Sequence, residues 1–203
     1  MDSFPQNMTV EKENLSQTFD LETEFGVDLS SEPRLRQEIG QAIIDRIRER
    51  CLNDNQDIWG RPLKSYDKSY VESDEFKDFG KSAGDINMQL TGDMLGGLES
   101  SDTPNSVTVS LESGQTPKGY RHQAGDKIKQ RAWFGMSKKE MDKIRDEFSS
   151  DIERVKNQQQ SERERQRSAL DLVTAQLFQE TQEQAFSDLL TVSFPDLTLD
   201  DLV

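Results

Sequence analysis

Val107-Thr108-Val109-Ser110-Leu111 alternates branched apolar and small polar side chains with a period of two, the pattern of a strand with one buried face. Thr103-Pro104-Asn105 just before it is turn chemistry, so residues 94–112 are expected to form a hairpin. Further out, Tyr120-Arg121-His122-Gln123, bounded by Gly119 and Gly125, reads as another short strand. Beyond these segments the period changes to that of a helix. On the N-terminal side Leu35, Ile39, Ile43, Ile47 and Cys51 recur every four residues, and Ile44 and Leu52 widen the stripe. This predicts a helix over 33–52, with Ser31 as N-cap and Pro33 in the first turn. On the C-terminal side Ser137-Lys138-Lys139-Glu140 is a capping box, followed by a face of Met141, Ile144, Phe148, Ile152 and Val155. The chain is therefore expected to hold a modest α+β core.

The stripe does not continue evenly. From Asn157 to Ser168 the apolar residues vanish, although helix propensity stays high. Leu170, Val173, Leu177 and Phe178, then Phe186, Leu189 and Leu190, resume it. Residues 137–191 are expected to form one long helix or two, packed against another chain. The stretch 64–89 is polar and loop-like, with Tyr66 and Tyr70 as anchors. Asn53-Asp54-Asn55-Gln56-Asp57 is a turn rather than a calcium loop, because the sixth position is Ile58 and the twelfth Lys64.

Charge is distributed unevenly along the 203 residues. The net charge is −14, with 39 acids against 25 bases. Residues 1–32 carry −7 and residues 193–203 carry −3, which leaves −4 for the segment between. Leu, Ile, Val and Phe supply only 46 residues, just above the level at which a highly charged chain fails to fold. Both ends interleave acids with large apolar groups: Phe19, Leu21 and Phe25 in the first, and Phe194, Leu197, Leu199 and Leu202 in the last. Such segments are expected to dock on a neighbouring surface, where each buried side chain contributes about 1.5–3 kcal/mol. The acidic balance disfavours sequence-independent DNA binding over the whole surface. No apolar run approaches the length of a membrane span, and the first residues lack the pattern of a signal peptide.

Candidate chemistry is sparse. His122 is the only histidine and Cys51 the only cysteine, so neither a histidine metal cluster nor a disulfide can be built within one chain. Cys51 falls on the apolar face of its helix and reads as a packed thiol. Gly92-Asp93-Met94-Leu95-Gly96-Gly97 lacks the ending of a phosphate loop. No catalytic residue, metal site or cofactor site is expected.

The order of motifs carries more information than any one of them. Helix 33–52 is followed by Trp59-Gly60-Arg61-Pro62-Leu63 with Tyr66 and Tyr70, then Leu90-Thr91-Gly92-Asp93-Met94-Leu95. Tyr120-Arg121-His122-Gln123 and Arg131-Ala132-Trp133-Phe134-Gly135-Met136-Ser137 complete the series. This order resembles the virion-morphogenesis, or tail-completion, family of tailed bacteriophages over residues 33–148. The resemblance implies a small antiparallel β-sheet flanked by helices, without a catalytic role, assembled into rings in the neck between head connector and tail. It implies structural roles for Gly60 and Gly92 in turns, for Arg131 and Phe134 before the last helix, and for His122 and Gln123 near the sheet end. Arg61, Tyr66, Thr91, Met94 and Gly135 fall in the same motifs.

The organisation expected on these grounds is an acidic extended arm over 1–32, an α+β domain over 33–148, and a helical extension with an acidic–apolar tail over 149–203. The expected partners are further copies in a ring, six by resemblance, together with a head connector or portal adaptor and a tail tube or terminator. DNA would pass the ring without specific binding, no membrane would be involved, and the location would be the virion neck, assembled in host cytoplasm. The alternative is a non-catalytic helical scaffolding or assembly-regulating protein that dimerises through its C-terminal helix, although the polar 157–168 stretch interrupts a heptad run. A hydrolase of unknown type is a third class.

Overall fold

The computed structural model describes residues 4–5, 7–78, 80, 82–84, 86, 93–125 and 129–193, the side chains of 190–193 excepted. Two compact units are present, residues 1–153 and 154–203.

The first unit is built on a four-stranded antiparallel sheet. Strands β1 (Met8–Val10), β2 (Leu15–Asp20), β3 (Leu98–Asp102) and β4 (Ser106–Leu111) lie in the order β1-β2-β4-β3. The expected hairpin is present as β3–β4, with Ser100 opposite Val109. Phe19 pairs with Val107 and Gln17 with Val109, so the buried side chains of β2 and β4 share one face. Helix α2 (Pro33–Glu49) packs on β3 and β4 through Leu35, Ile39, Ile43 and Ile47, all buried. Gly40 sets the distance: a Cβ there would lie 3.0 Å from Ser100 and 3.3 Å from Val107. Thr18 and Thr108, on the opposite face, share a 2.9 Å hydroxyl contact and leave that face polar.

The stripe read over 33–52 ends differently from a regular helix. Residues Arg50–Asp54 form a π-helical turn, closed by Asn55 at φ 51°. The N-cap is Glu32 rather than Ser31, with no side-chain bond to the helix. The capping box at Ser137 is present in full and opens α7 (Lys138–Glu147). Phe148 then interrupts the path, and α8 runs from Ser149 to Ser193. Short helices α3 (Lys68–Val71) and α4 (Asp74–Asp78) fall in the polar 64–89 stretch, and α5 (Asp93–Gly96) follows it. There Tyr66, Tyr70 and Phe76 make mutual ring contacts with centroids 5.2–5.6 Å apart.

Two expectations are overturned. The first is the extended arm over 1–32. This segment supplies β1, β2 and the short helix α1 (Leu21–Phe25), and Phe19, Leu21 and Phe25 are buried in the core of their own chain rather than held out for a partner. The reason is a two-residue period from Leu15 to Asp20 that runs into helical spacing between Leu21 and Phe25, so the acids fall on the outer side. Asp20 joins the two elements by accepting from the Thr23 amide at 2.7 Å. The second is the strand at 120–123. Those residues lie in α6 (Thr116–Ala124), which has Pro117 in its first turn and Gly125 as a left-handed cap at φ 79°.

The second unit, 154–203, contains the long continuation of α8. From Gln160 to Phe186 its side chains are exposed, including Leu170, Leu172, Val173, Leu177 and Phe178, and Leu189 is exposed beyond.

Candidate functional site

Residues 131–136 are buried without belonging to a helix or strand, and they form a strap through the first unit. A buried irregular segment must find partners for every backbone group, since an unpaired one costs about 1–3 kcal/mol. Here side chains supply most of them. Gln123 is 0 % exposed, and its amide accepts from the Phe134 N–H at 2.9 Å and donates to the Phe134 carbonyl at 3.2 Å. It takes the place of a neighbouring strand. Gln17 accepts from the Met136 N–H at 2.7 Å, which explains an amide on the inner face of β2. Arg50 donates to the carbonyls of Trp133 at 2.6 Å and Gly135 at 2.8 Å. The Ala132 carbonyl accepts from the Ile58 N–H, and the Arg131 N–H donates to the His122 carbonyl, both at 2.8 Å.

Arg50 is itself 1 % exposed, and its charge is matched by Glu140, whose two oxygens each lie 2.7 Å from one guanidinium nitrogen. Glu140 also closes the α7 capping box, so one carboxylate fixes both the strap and the helix that follows. Arg46 lies 3.4 Å from the same carboxylate. Burial opposes its charge, but Glu49, Glu140 and Asp54 outweigh that and hold its pKa above the ordinary value. Cys51 is fully buried with its sulfur 3.7 Å from the Trp133 carbonyl. Burial pushes its thiol up to about 11, so it stays protonated and unreactive at neutral pH.

The motif residues fall around this strap. Phe134 is 0 % exposed. Gly135 adopts φ 96°, and a Cβ there would meet the Met8 Cε at 2.0 Å. Arg131 is buried and donates to the carbonyls of Lys64 at 2.8 Å and Ser65 at 3.0 Å, with its guanidinium 5.0 Å from the centre of the Tyr66 ring. Burial lowers its pKa, with Tyr66 and Asp67 opposing. His122 is half-buried, with Nδ1 3.4 Å from Arg131. Gly60 turns the chain at φ 78°. Arg61 holds the Asp57 carboxylate at 2.8 Å and lies 4.3 Å over the Trp59 ring. Met94 is buried in α5. Thr91 and Gly92, and the tail residues Phe194, Leu197, Leu199 and Leu202, lie outside the described residues.

Two surface clefts flank these elements. One, of about 430 Å³, is lined by Trp59, Arg61, Pro62, Lys64, Gln130 and Arg131 among others. Its one acid, Asp57, is taken up by Arg61. The other, of about 660 Å³, lies between α2 and α7, with Glu38, Asp45, Glu49 and Glu147 on its rim and Ile144 and Phe148 in its lining. Among the described residues, no group of three His, Cys, Asp or Glu side chains could hold a metal ion, and no helix is long and apolar enough to cross a membrane.

Arg50 and Gln17 were not singled out by sequence, and Glu140 was read only as a capping residue, not as the partner of a buried arginine. The one signal for Arg50 is its position three residues after Ile47, on the apolar face. No family model, curated protein or solved structure matches the chain.

Proposed function

We propose that the chain is a non-catalytic structural protein of a tailed bacteriophage virion, forming a ring in the neck that joins head connector to tail. The description that fits it best is tail completion or tail termination. The observation that carries the reading is the convergence of separated motifs. Trp59 to Tyr66, His122-Gln123 and Arg131 to Ser137 resemble the family in order, and in the fold they interlock through Arg131, Gln123 and the strap. Motifs that build one rigid node fit a family in which they preserve a scaffold rather than a reaction. In this reading copies of the chain assemble as a ring, six by resemblance, against a portal adaptor on one side and a tail tube or terminator on the other. DNA passes through without specific binding.

Genetic removal of the chain tests this. Loss should yield filled heads and complete tails that remain unjoined, with joining restored when the chain is supplied in trans. Normal virions without the chain, or a block in capsid formation, would overturn it. The second reading, a scaffold dimerised through α8, is favoured by the exposed Leu170, Val173 and Leu177 at helical spacing. It requires a stable dimer in solution that is absent from finished virions.

A further inference from the structure

The distal part of α8 is unlike the rest of the chain in charge. Residues 168–203 contain seven acids and no Lys, Arg or His, and the described part, 168–193, holds Asp171, Glu180, Glu183 and Asp188. Along the same helix Leu170, Leu177, Phe178 and Leu189 are 58–66 % exposed in the isolated chain. An exposed helix carrying this much apolar surface needs a cover. The absence of any base selects a cover that is basic at its rim.

Two clefts lined by described residues of the first unit differ in character. The cleft between α2 and α7 is lined by Glu38, Asp45, Glu49 and Glu147 against Arg46 and Lys143, an acidic balance that disfavours an acidic helix. The cleft beside the strap has apolar walls from Trp59, Pro62 and Leu63, with Arg61, Lys64 and Arg131 around them. Lys64 is exposed and has no carboxylate within 4.0 Å among the described residues. Lys129 stands close by, with its ammonium 3.4 Å from the Ser65 hydroxyl and 3.4 Å from the Asp67 carboxylate, so Lys64 is the cation of this rim that no described carboxylate offsets. A cationic rim over apolar walls matches an acidic helix with exposed Leu and Phe in both sign and hydropathy.

We propose that the distal α8 segment, Leu170 to Leu189, docks in the Trp59–Lys64 cleft of a second copy of this chain. The contact joins two different surfaces, so repetition gives a head-to-tail arrangement that closes into a ring if the rotation permits. It thereby deepens, and in its link to ring closure rests on, the neck-ring reading. Nucleic acid is the other acidic occupant a basic cleft could take. The base-free helix in the same sequence favours the protein.

The test uses the full chain, with buried Cys51 replaced by alanine in every sample. One copy carries Ser65→Cys, beside the cleft, and the other Thr174→Cys, one helical turn from Leu170 and Phe178, so that the cationic and apolar groups themselves are kept. After mixing and treatment with a short bis-maleimide, the expected product is a cross-linked pair containing both variants. It should be lost when Lys64→Glu is added to the first copy, and lost again at high salt. Absence of the mixed pair overturns the proposal. So does a pair formed between two Thr174→Cys copies, which would mean helix-on-helix dimerisation. A chain carrying both cysteines that cross-links only within itself would place the contact in cis and overturn the second-copy assignment. Protection of Ser65→Cys from modification by added DNA, with no mixed pair, would assign the cleft to nucleic acid and overturn it as well. The neck reading fails separately: a mixed pair from a chain missing from virion necks leaves the docking standing, whereas neck rings without the mixed pair leave the ring and remove the docking.

Discussion

Glu140 shows how much one side chain can carry in this fold. Its carboxylate faces the buried Arg50 guanidinium at 2.7 Å and also closes the α7 capping box. Glu140→Gln separates these roles, because glutamine still serves at the third helical position. The cap should survive while Arg50 is left as an unmatched buried charge, a loss of about 3–5 kcal/mol. Urea denaturation checks this, and an unchanged midpoint would mean that Arg50 is hydrated rather than buried. Cys51 gives a second prediction at this scale. Its folded pKa, about 11, lies above that of a thiol in the unfolded chain. Its contribution to stability is therefore complete below the unfolded value, about 8.5, and is lost as pH rises through the folded one. Stability should fall by on the order of 3 kcal/mol across that window, and Cys51→Ala should flatten the slope. An identical slope in both proteins would contradict the burial.

Elements differed in legibility for physical reasons. Helix α2 was legible because its stripe is uninterrupted and one face meets the sheet. Strand β4 was legible because every second residue is branched and apolar. Strand β2 was obscured by Gln17, a polar residue on the inner face that is there to serve the Met136 backbone. Helix α6 was obscured because Gly119 and Gln123, both buried, break any apolar period. Gly119 is required by close packing, since a Cβ would lie 2.4 Å from Leu111, and Gln123 pairs the strap. The strap motif was visible from residue order, but its partners Gln17, Arg50 and Gln123 are chosen by tertiary hydrogen bonding that no local pattern reports. Gly135 tests the strap directly. Gly135→Ala combines an unfavourable positive φ with a clash against Met8 and a 2.9 Å approach to Gln17 Oε1. The backbone strain alone is of order 1–3 kcal/mol, and the thermal midpoint should drop accordingly. A midpoint at the native value would show that the strap takes another path.

At the scale of the molecule, the acidity divides into two kinds. Asp20, Glu22 and Glu24 lie on the outer side of a strand and helix that belong to the core. Asp171, Glu180, Glu183 and Asp188 accompany exposed apolar groups in a separate unit. A chain truncated after Arg167 should therefore keep the thermal midpoint of the first unit to within about 2 °C, while losing self-association and incorporation into virions. A large drop in the midpoint would mean that the distal segment stabilises the first unit. Deleting residues 4–20 should instead prevent folding, since β2 is an inner strand of the sheet.

The most direct measurement is electron cryomicroscopy of an intact virion neck with this chain traced by its side-chain density. The account predicts a closed ring of copies between the head connector and the tail, with the strap at 131–136 recognisable in each first unit. Density for the chain at a baseplate, on a fibre or within the capsid, or no density for it in the virion, would contradict the claim.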